Sequence, residues 1–149
     1  MAHVLVIDDH ALIRELLELE LASAGHVVTA VPDGPSGLAV ALHHPPDLVV
    51  LDFRLRGIDG LAVLRAFRAL NPALPVFFYT VLGDFPDRTD FAEADACFVK
   101  SGDLTLLSKA IASVCSLQAS HLADAVAGGE PASVAPIRSG DLGPEEPTA

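Results

Sequence analysis

The stretch "PPDLVVLDFRLRGIDGL", residues 45–61, runs four apolar residues, Leu48 to Leu51, straight into a carboxylate at Asp52. The prolines at 45 and 46 punctuate the chain, so "DLVVL" (47–51) reads as a short buried strand. A buried charge is costly unless it is paired or bound to a metal. Whatever balances Asp52 must come from other parts of the chain.

Working outward, the same pattern recurs. "HVLVI" (3–7), "HVVTAV" (26–31), "PVFFYT" (75–80) and "ACFV" (96–99) are further apolar strands. Between them lie amphipathic segments. Residues 10–25 predict a helix that carries Leu12, Leu16, Leu19 and the Ala22/Ser23 region at helical spacing and stops at Gly25. Shorter helices are expected from about Pro35 to His43, over 59–70 with Leu61, Leu64, Phe67 and Leu70 on one face, and more weakly over 84–94. A last helix starts near 103, where Leu104, Leu107, Ile111, Val114, Leu117, His121 and Ala125 form one stripe. Five βα units with continuous apolar strands imply an α/β fold with a parallel sheet covered by helices on both faces. Right-handed crossovers leave few topologies, and five units cannot close an eightfold barrel, so the sheet is an open, doubly wound one.

The bulk numbers agree with one domain: 149 residues, half of them apolar. No apolar run approaches the ~18 residues of a membrane span, and Asp8 and Asp9 interrupt the N-terminal apolar stretch, which therefore does not read as a signal peptide. Cys97 and Cys115 have neither framework nor zinc-ligand spacing, as in a reducing cytoplasm. A net charge of -11 leaves no basic patch to neutralise phosphates, which argues against nucleic-acid binding. The expected division is a domain over 1–120 and, over 121–149, a helix extension with a Gly/Pro-rich acidic tail too poor in large apolar residues to order itself. The stripe on the last helix reads either as a core face ending near Leu117 or as a dimer or partner face.

In open α/β sheets, ligands bind beyond the carboxyl ends of the strands. There the sequence puts Asp8 and Asp9 after the first strand, Asp52 after the third, Thr80 at the end of the fourth and Lys100 after the fifth. Each residue alone has a plainer reading: Asp8 or Asp9 as a helix cap, Thr80 as a strand-end hydroxyl, Lys100 as a solvated charge. Their convergence on one crevice is harder to dismiss. Two carboxylates ~4 Å apart repel by about 4 kcal/mol at an effective dielectric of ~20. Either a pKa rises or a divalent cation sits among them, and an all-oxygen set suits Mg²⁺ (or Mn²⁺). Lys100 and Thr80 would then receive an anion, a phosphoryl group, with Asp52 as the candidate nucleophile. On this reading Asp52 stands at the lip of the sheet rather than inside it.

The motifs "VLVIDDH", "PDLVVLDFRLRGIDGL", "PVFFYT" and "FVKS", in that order and spacing, resemble those of response-regulator receiver domains over residues 3 to about 117. The resemblance implies a flavodoxin-like sheet of order 2-1-3-4-5. It further implies that Asp52 accepts a phosphoryl group from a sensor histidine kinase or a histidine phosphotransfer protein. Mg²⁺ would be held by Asp9, Asp52 and the backbone carbonyl of Arg54, with Asp8 acting through water. Lys100 would pair with the phosphoryl oxygens, Thr80 would move to bond them, and Gly60 would belong to the loop entering the third helix. This chain departs from the pattern in three ways. Ser101 replaces the usual proline after the Lys. Cys97 stands where the switch aromatic usually sits, while Phe98 points to the opposite face. Arg54 and Leu82 occupy the positions that flank the phosphoryl group and tune its lifetime.

Only about thirty residues follow the expected domain over 1–120, too few for an independent core, so a stand-alone, non-enzymatic cytoplasmic receiver is expected. It would bind a downstream protein partner when phosphorylated, or serve as a relay or phosphate sink. A constitutive scaffold with a weakened switch is the alternative, given Cys97 and Ser101. A Mg²⁺-dependent aspartyl-phosphate phosphatase of the haloacid dehalogenase type needs a second Asp where this chain has Arg54. A dinucleotide-binding module needs a Gly-rich turn that "IDDHALIREL" lacks.

Overall fold

The computed structural model describes residues 2–56, 58–81, 92–101 and 103–128, with side chains up to residue 117. Within these limits the chain forms β1 (His3–Ile7), α1 (Ala11–Ser23), β2 (Val27–Val31), α2 (Gly34–His43) and β3 (Leu48–Leu51). There follow β4 (Arg54–Leu55), β5 (Ile58–Asp59), α3 (Gly60–Leu70), β6 (Val76–Thr80), β7 (Ala96–Val99) and α4 (Thr105–Gly128). Five strands form one parallel sheet in the order β2-β1-β3-β6-β7, which in strand count is the expected 2-1-3-4-5. The expected helix over 84–94 and the tail beyond 128 lie outside the described residues, apart from the end of the former.

Successive strand residues face opposite sides of a sheet, and both sides here are packed. Leu5, Ile7, Val49, Leu51, Val76 and Phe78 meet Leu61, Leu64 and Phe67 of α3 and the apolar side of α2. Val4, Val6, Leu48, Val50, Phe77 and Tyr79 meet Leu17 and Leu21 of α1 and Leu107 and Ile111 of α4. The unbroken apolar runs in the sequence follow directly from this two-sided burial. Local signals set the helix starts. Asp33 Oδ1 accepts from Ser36 N at 2.7 Å to cap α2, and Asp59 Oδ1 accepts from Leu61 N at 3.0 Å to cap α3. Asp95 Oδ2 accepts from Arg68 Nη2 at 2.8 Å and from Val76 N at 2.9 Å, tying α3 and β6 to the start of β7.

Two expectations need correcting. Leu12, Leu16 and Leu19 do not face the sheet: they are 78%, 41% and 71% exposed, whereas Leu17 and Leu21 are buried and Ile13 packs beside them. "LIRELLELEL" carries two apolar lines at helical spacing, Leu12/Leu16/Leu19 and Ile13/Leu17/Leu21, with charged residues bordering both, and the second turns inward. Leu70, one turn past Phe67 at the end of α3, is likewise half exposed. On α4 the core-facing stripe runs through Leu107, Ile111 and Val114, and Leu117 is already partly exposed.

Candidate functional site

The sheet register brings the strand ends together. Ile7 of β1 lies beside both Val31 of β2 and Leu51 of β3, and Thr80 of β6 lies beside Val99 of β7. Backbone bonds continue the ladder one residue further, from Asp8 N to Val31 O (3.1 Å), Asp52 N to Ile7 O (2.9 Å) and Lys100 N to Thr80 O (2.7 Å). The three residues that leave these strands are therefore aimed into one crevice by main-chain hydrogen bonding.

At its centre the Lys100 ammonium lies 2.7 Å from Asp8 Oδ2 and 3.1 Å from Asp52 Oδ2. Asp8, Asp52 and Lys100 are almost fully buried. Asp52 is thus deeper than a position at the lip of the sheet would suggest, because Phe53 and Leu55 just after it are buried as well. Asp52 Oδ1 accepts a 3.2 Å bond from Arg54 N. The crowding appears in the titration behaviour. Burial, then the charge of Asp8, push the Asp52 carboxyl above its ordinary value, and Lys100 and the Arg54 amide offset only part of this. Burial opposes the Lys100 ammonium, but Asp8 and Asp52 outweigh it and hold its pKa above the ordinary value.

Asp9 is partly exposed, and its Oδ2 is 3.7 Å from Arg56 Nε, an exposed contact of little energetic weight. Neither Asp8 nor Asp9 caps α1. The N-cap is His10, which makes no side-chain cap bond, and Asp8 Oδ1 instead accepts from His10 N at 2.9 Å. Arg14 Nη1 donates to Asp8 O at 2.7 Å and anchors this turn to α1. Thr80 is fully buried at the end of β6.

Gly60, the first residue of α3, donates from its amide to Phe53 O at 2.7 Å. A Cβ there would meet Phe53 O at 2.6 Å, Phe53 Cα at 2.7 Å and Asp52 O at 2.8 Å. Only glycine lets the backbone approach the segment that carries Asp52 so closely. The two-residue antiparallel pair of β4 and β5 brings Gly60 there. So brief a ladder leaves no periodic signal in the sequence.

His10 also faces the crevice, although no motif or periodicity in the sequence marks it. Its Nδ1 lies 3.0 Å from Asp8 Oδ1, 3.2 Å from Asp9 Oδ1 and 3.9 Å from Asp52 Oδ2. The available signal was an ionisable ring directly after Asp8 and Asp9, at the mouth of the crevice.

On the other side of Thr80, Cys97 packs into the core with Phe78 and α3, while Phe98 packs on Phe77 at a ring separation of 5.4 Å on the opposite face. Of these two β7 residues, the one on the side of Phe78 and Thr80 is thus Cys97, and the aromatic Phe98 lies on the other. Burial lifts the Cys97 thiol to about 12, which makes it inert. The Lys100–Ser101 peptide is trans. Leu82 lies outside the described residues.

The donor set suits a hard divalent cation. Three carboxylates against one ammonium leave two negative charges to balance when the His10 ring is neutral. Among the described residues, the buried Asp9 Oδ1 and Thr80 Oγ1 have no hydrogen-bond partner, Asp9 Oδ1 despite its nearness to the His10 ring. Buried polar atoms are rarely left so. One orphan is a carboxylate oxygen fit for a metal, and the other is a hydroxyl fit for a bound anion.

The model of the response regulator receiver domain matches residues 4–112. The chain belongs to the response-regulator receiver domain family. Curated relatives include the two-component response regulator PhoP of Pseudomonas aeruginosa, 36% identical over 93 residues, which are 62% of this chain and 41% of that protein. The probable transcriptional regulatory protein TcrX of Mycobacterium tuberculosis is 40% identical over 85 residues, 57% of this chain and 36% of that one. This chain thus spans about two-fifths of the length of these relatives. Among solved structures, the response regulator TrrA of Thermotoga maritima in complex with Mg²⁺-BeF is 29% identical, with a TM-score of 0.71 over 76% of this chain and 98% of that one. TrrA in complex with the histidine kinase ThkA matches with a TM-score of 0.70 at the same identity, over 76% of this chain and 97% of that one. As a receiver, this chain has its acidic crevice at the carboxyl ends of the strands, where the fold places ligands.

Proposed function

We propose that this receiver is a phosphoacceptor: Asp52 takes a phosphoryl group from a phosphohistidine donor, and the phosphorylated form binds a downstream protein or passes the group on. The observation that carries this reading is the buried Asp8–Lys100–Asp52 arrangement, with Lys100 Nζ 2.7 and 3.1 Å from the two carboxylates. An Asp52 oxygen attacks phosphorus, the phosphorus–nitrogen bond to the donor histidine breaks, and the imidazole leaves with that electron pair. Lys100 neutralises the phosphoryl oxygens once they replace its contact with the Asp52 carboxylate. Thr80 Oγ1, buried and without a partner among the described residues, is the donor left for a remaining phosphoryl oxygen.

Asp9, Asp52 and the Arg54 carbonyl are the groups to hold Mg²⁺ directly. Asp8 would act through water, as in the receiver pattern, and Asp52 would exchange its Lys100 contact for the ion. The ion, when bound, supplies the charge that lets a phosphoryl group approach three carboxylates. A sensor histidine kinase is the expected donor, in keeping with the kinase complex of the relative TrrA. No enzymatic turnover is proposed, because Arg54 stands where an aspartyl-phosphate phosphatase of the haloacid dehalogenase type needs an acidic general acid/base. A constitutive scaffold remains the second reading, favoured by Cys97 and by the position of Phe98 on the opposite face.

The test is incubation with acetyl phosphate and Mg²⁺, followed by phosphate-affinity electrophoresis. The wild type shifts, and neither Asp52→Asn nor an EDTA-treated sample does. A shift that survives Asp52→Asn overturns the assignment. Partner binding that is unchanged by the phosphodonor selects the scaffold.

A further inference from the structure

We propose that His10 is an additional protein ligand of the divalent-cation site, and that its ring nitrogen moves the preference of the site from Mg²⁺ toward Mn²⁺ and Co²⁺. This rests on the proposed metal site and specifies its selectivity.

Although the His10 side chain is 62% exposed, its Nδ1 points inward to within 3.0, 3.2 and 3.9 Å of oxygens from Asp8, Asp9 and Asp52. Its backbone is fixed from two directions, and Lys100 Nζ lies 3.5 Å from the same ring nitrogen. The His10 amide is fixed by Asp8 Oδ1 at 2.9 Å, and its position as N-cap of α1 sets the backbone. One ligand atom from each of Asp8, Asp9, His10 and Asp52 falls within 4.8 Å of all the others. Donors about 2.1 Å from one ion can be at most about 4.2 Å apart, so only a small contraction gathers them into one shell.

The other donors leave room for a further ligand. The oxygens of Asp8 meet Lys100 and the His10 amide and those of Asp52 meet Lys100 and the Arg54 amide, whereas Asp9 Oδ1 has no hydrogen-bond partner and lies 3.2 Å from the His10 ring nitrogen. The free edge of the imidazole faces solvent, so the ring can settle against an arriving ion without disturbing the core.

The chemistry then sets the preference. Carboxylate, carbonyl and water suit Mg²⁺, whereas an imidazole nitrogen adds affinity for first-row transition metals and more so along the series from Mn²⁺ to Co²⁺. An ion held by Asp9, Asp52, the Arg54 carbonyl and His10 would have one nitrogen in its first shell. The plainer alternative is that His10 only bonds to Asp8 and swings away when a cation enters.

Calorimetric titration of the full chain with MgCl₂, MnCl₂ and CoCl₂, for the wild type and His10→Ala, separates the two. Electron spin-echo envelope modulation of the Mn²⁺ complex adds a direct readout of bound nitrogen. His10→Ala should weaken Co²⁺ binding at least about tenfold, the size of loss produced even by removing an outer-shell partner of a ligand. Mg²⁺ binding should change by less than about twofold, and nitrogen modulation seen in the wild type should vanish in His10→Ala. Equal losses for all three metals, or no nitrogen modulation in a wild type that binds Mn²⁺, overturn the proposal while leaving the phosphoacceptor reading intact. Failure of the wild type to bind any of the three ions overturns both.

Discussion

Replacing Asp52 by Asn should make the metal-free protein more stable while removing its phosphoacceptor. The Lys100 ammonium, 3.1 Å from Asp52 Oδ2, attracts the carboxylate by about 5 kcal/mol at an effective dielectric of ~20. Asp8 and Asp9 present oxygens within 4.8 Å of Asp52, and at that spacing each repels it by at least about 3.5 kcal/mol on the same scale. The repulsions together exceed the attraction by about 2 kcal/mol, and the desolvation of a carboxylate only 3% exposed acts in the same direction. Asparagine keeps the shape and can still accept the Arg54 amide hydrogen bond. The expected gain in EDTA at neutral pH is therefore about 2 kcal/mol, or roughly 5–10 °C in Tm for a domain of this size.

The gain should depend on pH in a defined direction. The folded-state pKa of Asp52 is raised above its ordinary 3.8. The wild type thus carries no penalty below that ordinary value and loses stability as pH rises through the raised folded value. The gap between the two proteins should be near zero at the acid end and full at neutral pH. Mg²⁺ at about 100 times its dissociation constant should stabilise the wild type by about 2.7 kcal/mol and close the gap, since the variant has lost a ligand. Urea and thermal denaturation followed by circular dichroism measure all three conditions. A variant no more stable than wild type in EDTA, or a gap that does not change with pH, refutes the electrostatic reasoning.

Other substitutions probe other parts of the account. Lys100→Met leaves Asp8 and Asp52 buried and uncompensated, so it should cost about 3 kcal/mol without metal and suppress labelling by acetyl phosphate; denaturation and gel-shift assays read the two effects. Gly60→Ala places a methyl group under 3 Å from the backbone of Phe53 and Asp52. It should destabilise by about 1–3 kcal/mol and slow phosphoryl uptake, because the segment carrying Asp52 must shift. With its thiol pKa at about 12, Cys97 should resist iodoacetamide in the native protein at pH 8 and react only on unfolding, which peptide mass mapping after a timed pulse would show.

The fold was legible because two-sided burial writes itself as unbroken apolar runs, and β1, β3, β6 and β7 each read out of the chain within a residue of their ends. The site was legible for a related reason: a carboxylate or ammonium directly after such a run has few places to go except the carboxyl edge of the sheet. The inward face of α1 was not, because two leucine-rich lines share helical spacing and charged residues border both of them. The β4–β5 pair was not either, since two residues per strand carry no period. His10 was not legible because its importance lies in where the ring nitrogen points, a matter of rotamer and neighbours. Arg14 reaches back to the Asp8 carbonyl across a helical turn, and nothing in its spacing distinguishes it from an ordinary surface arginine.

The central claim is that Asp52 itself carries the phosphoryl group. Reduction of the phosphorylated protein with sodium borohydride converts an acyl phosphate to homoserine, and tandem mass spectrometry then locates the altered residue. The account predicts homoserine at position 52, dependent on both phosphodonor and Mg²⁺. Homoserine at Asp8 or Asp9, or unmodified Asp52 in protein that has taken up phosphate, would contradict it.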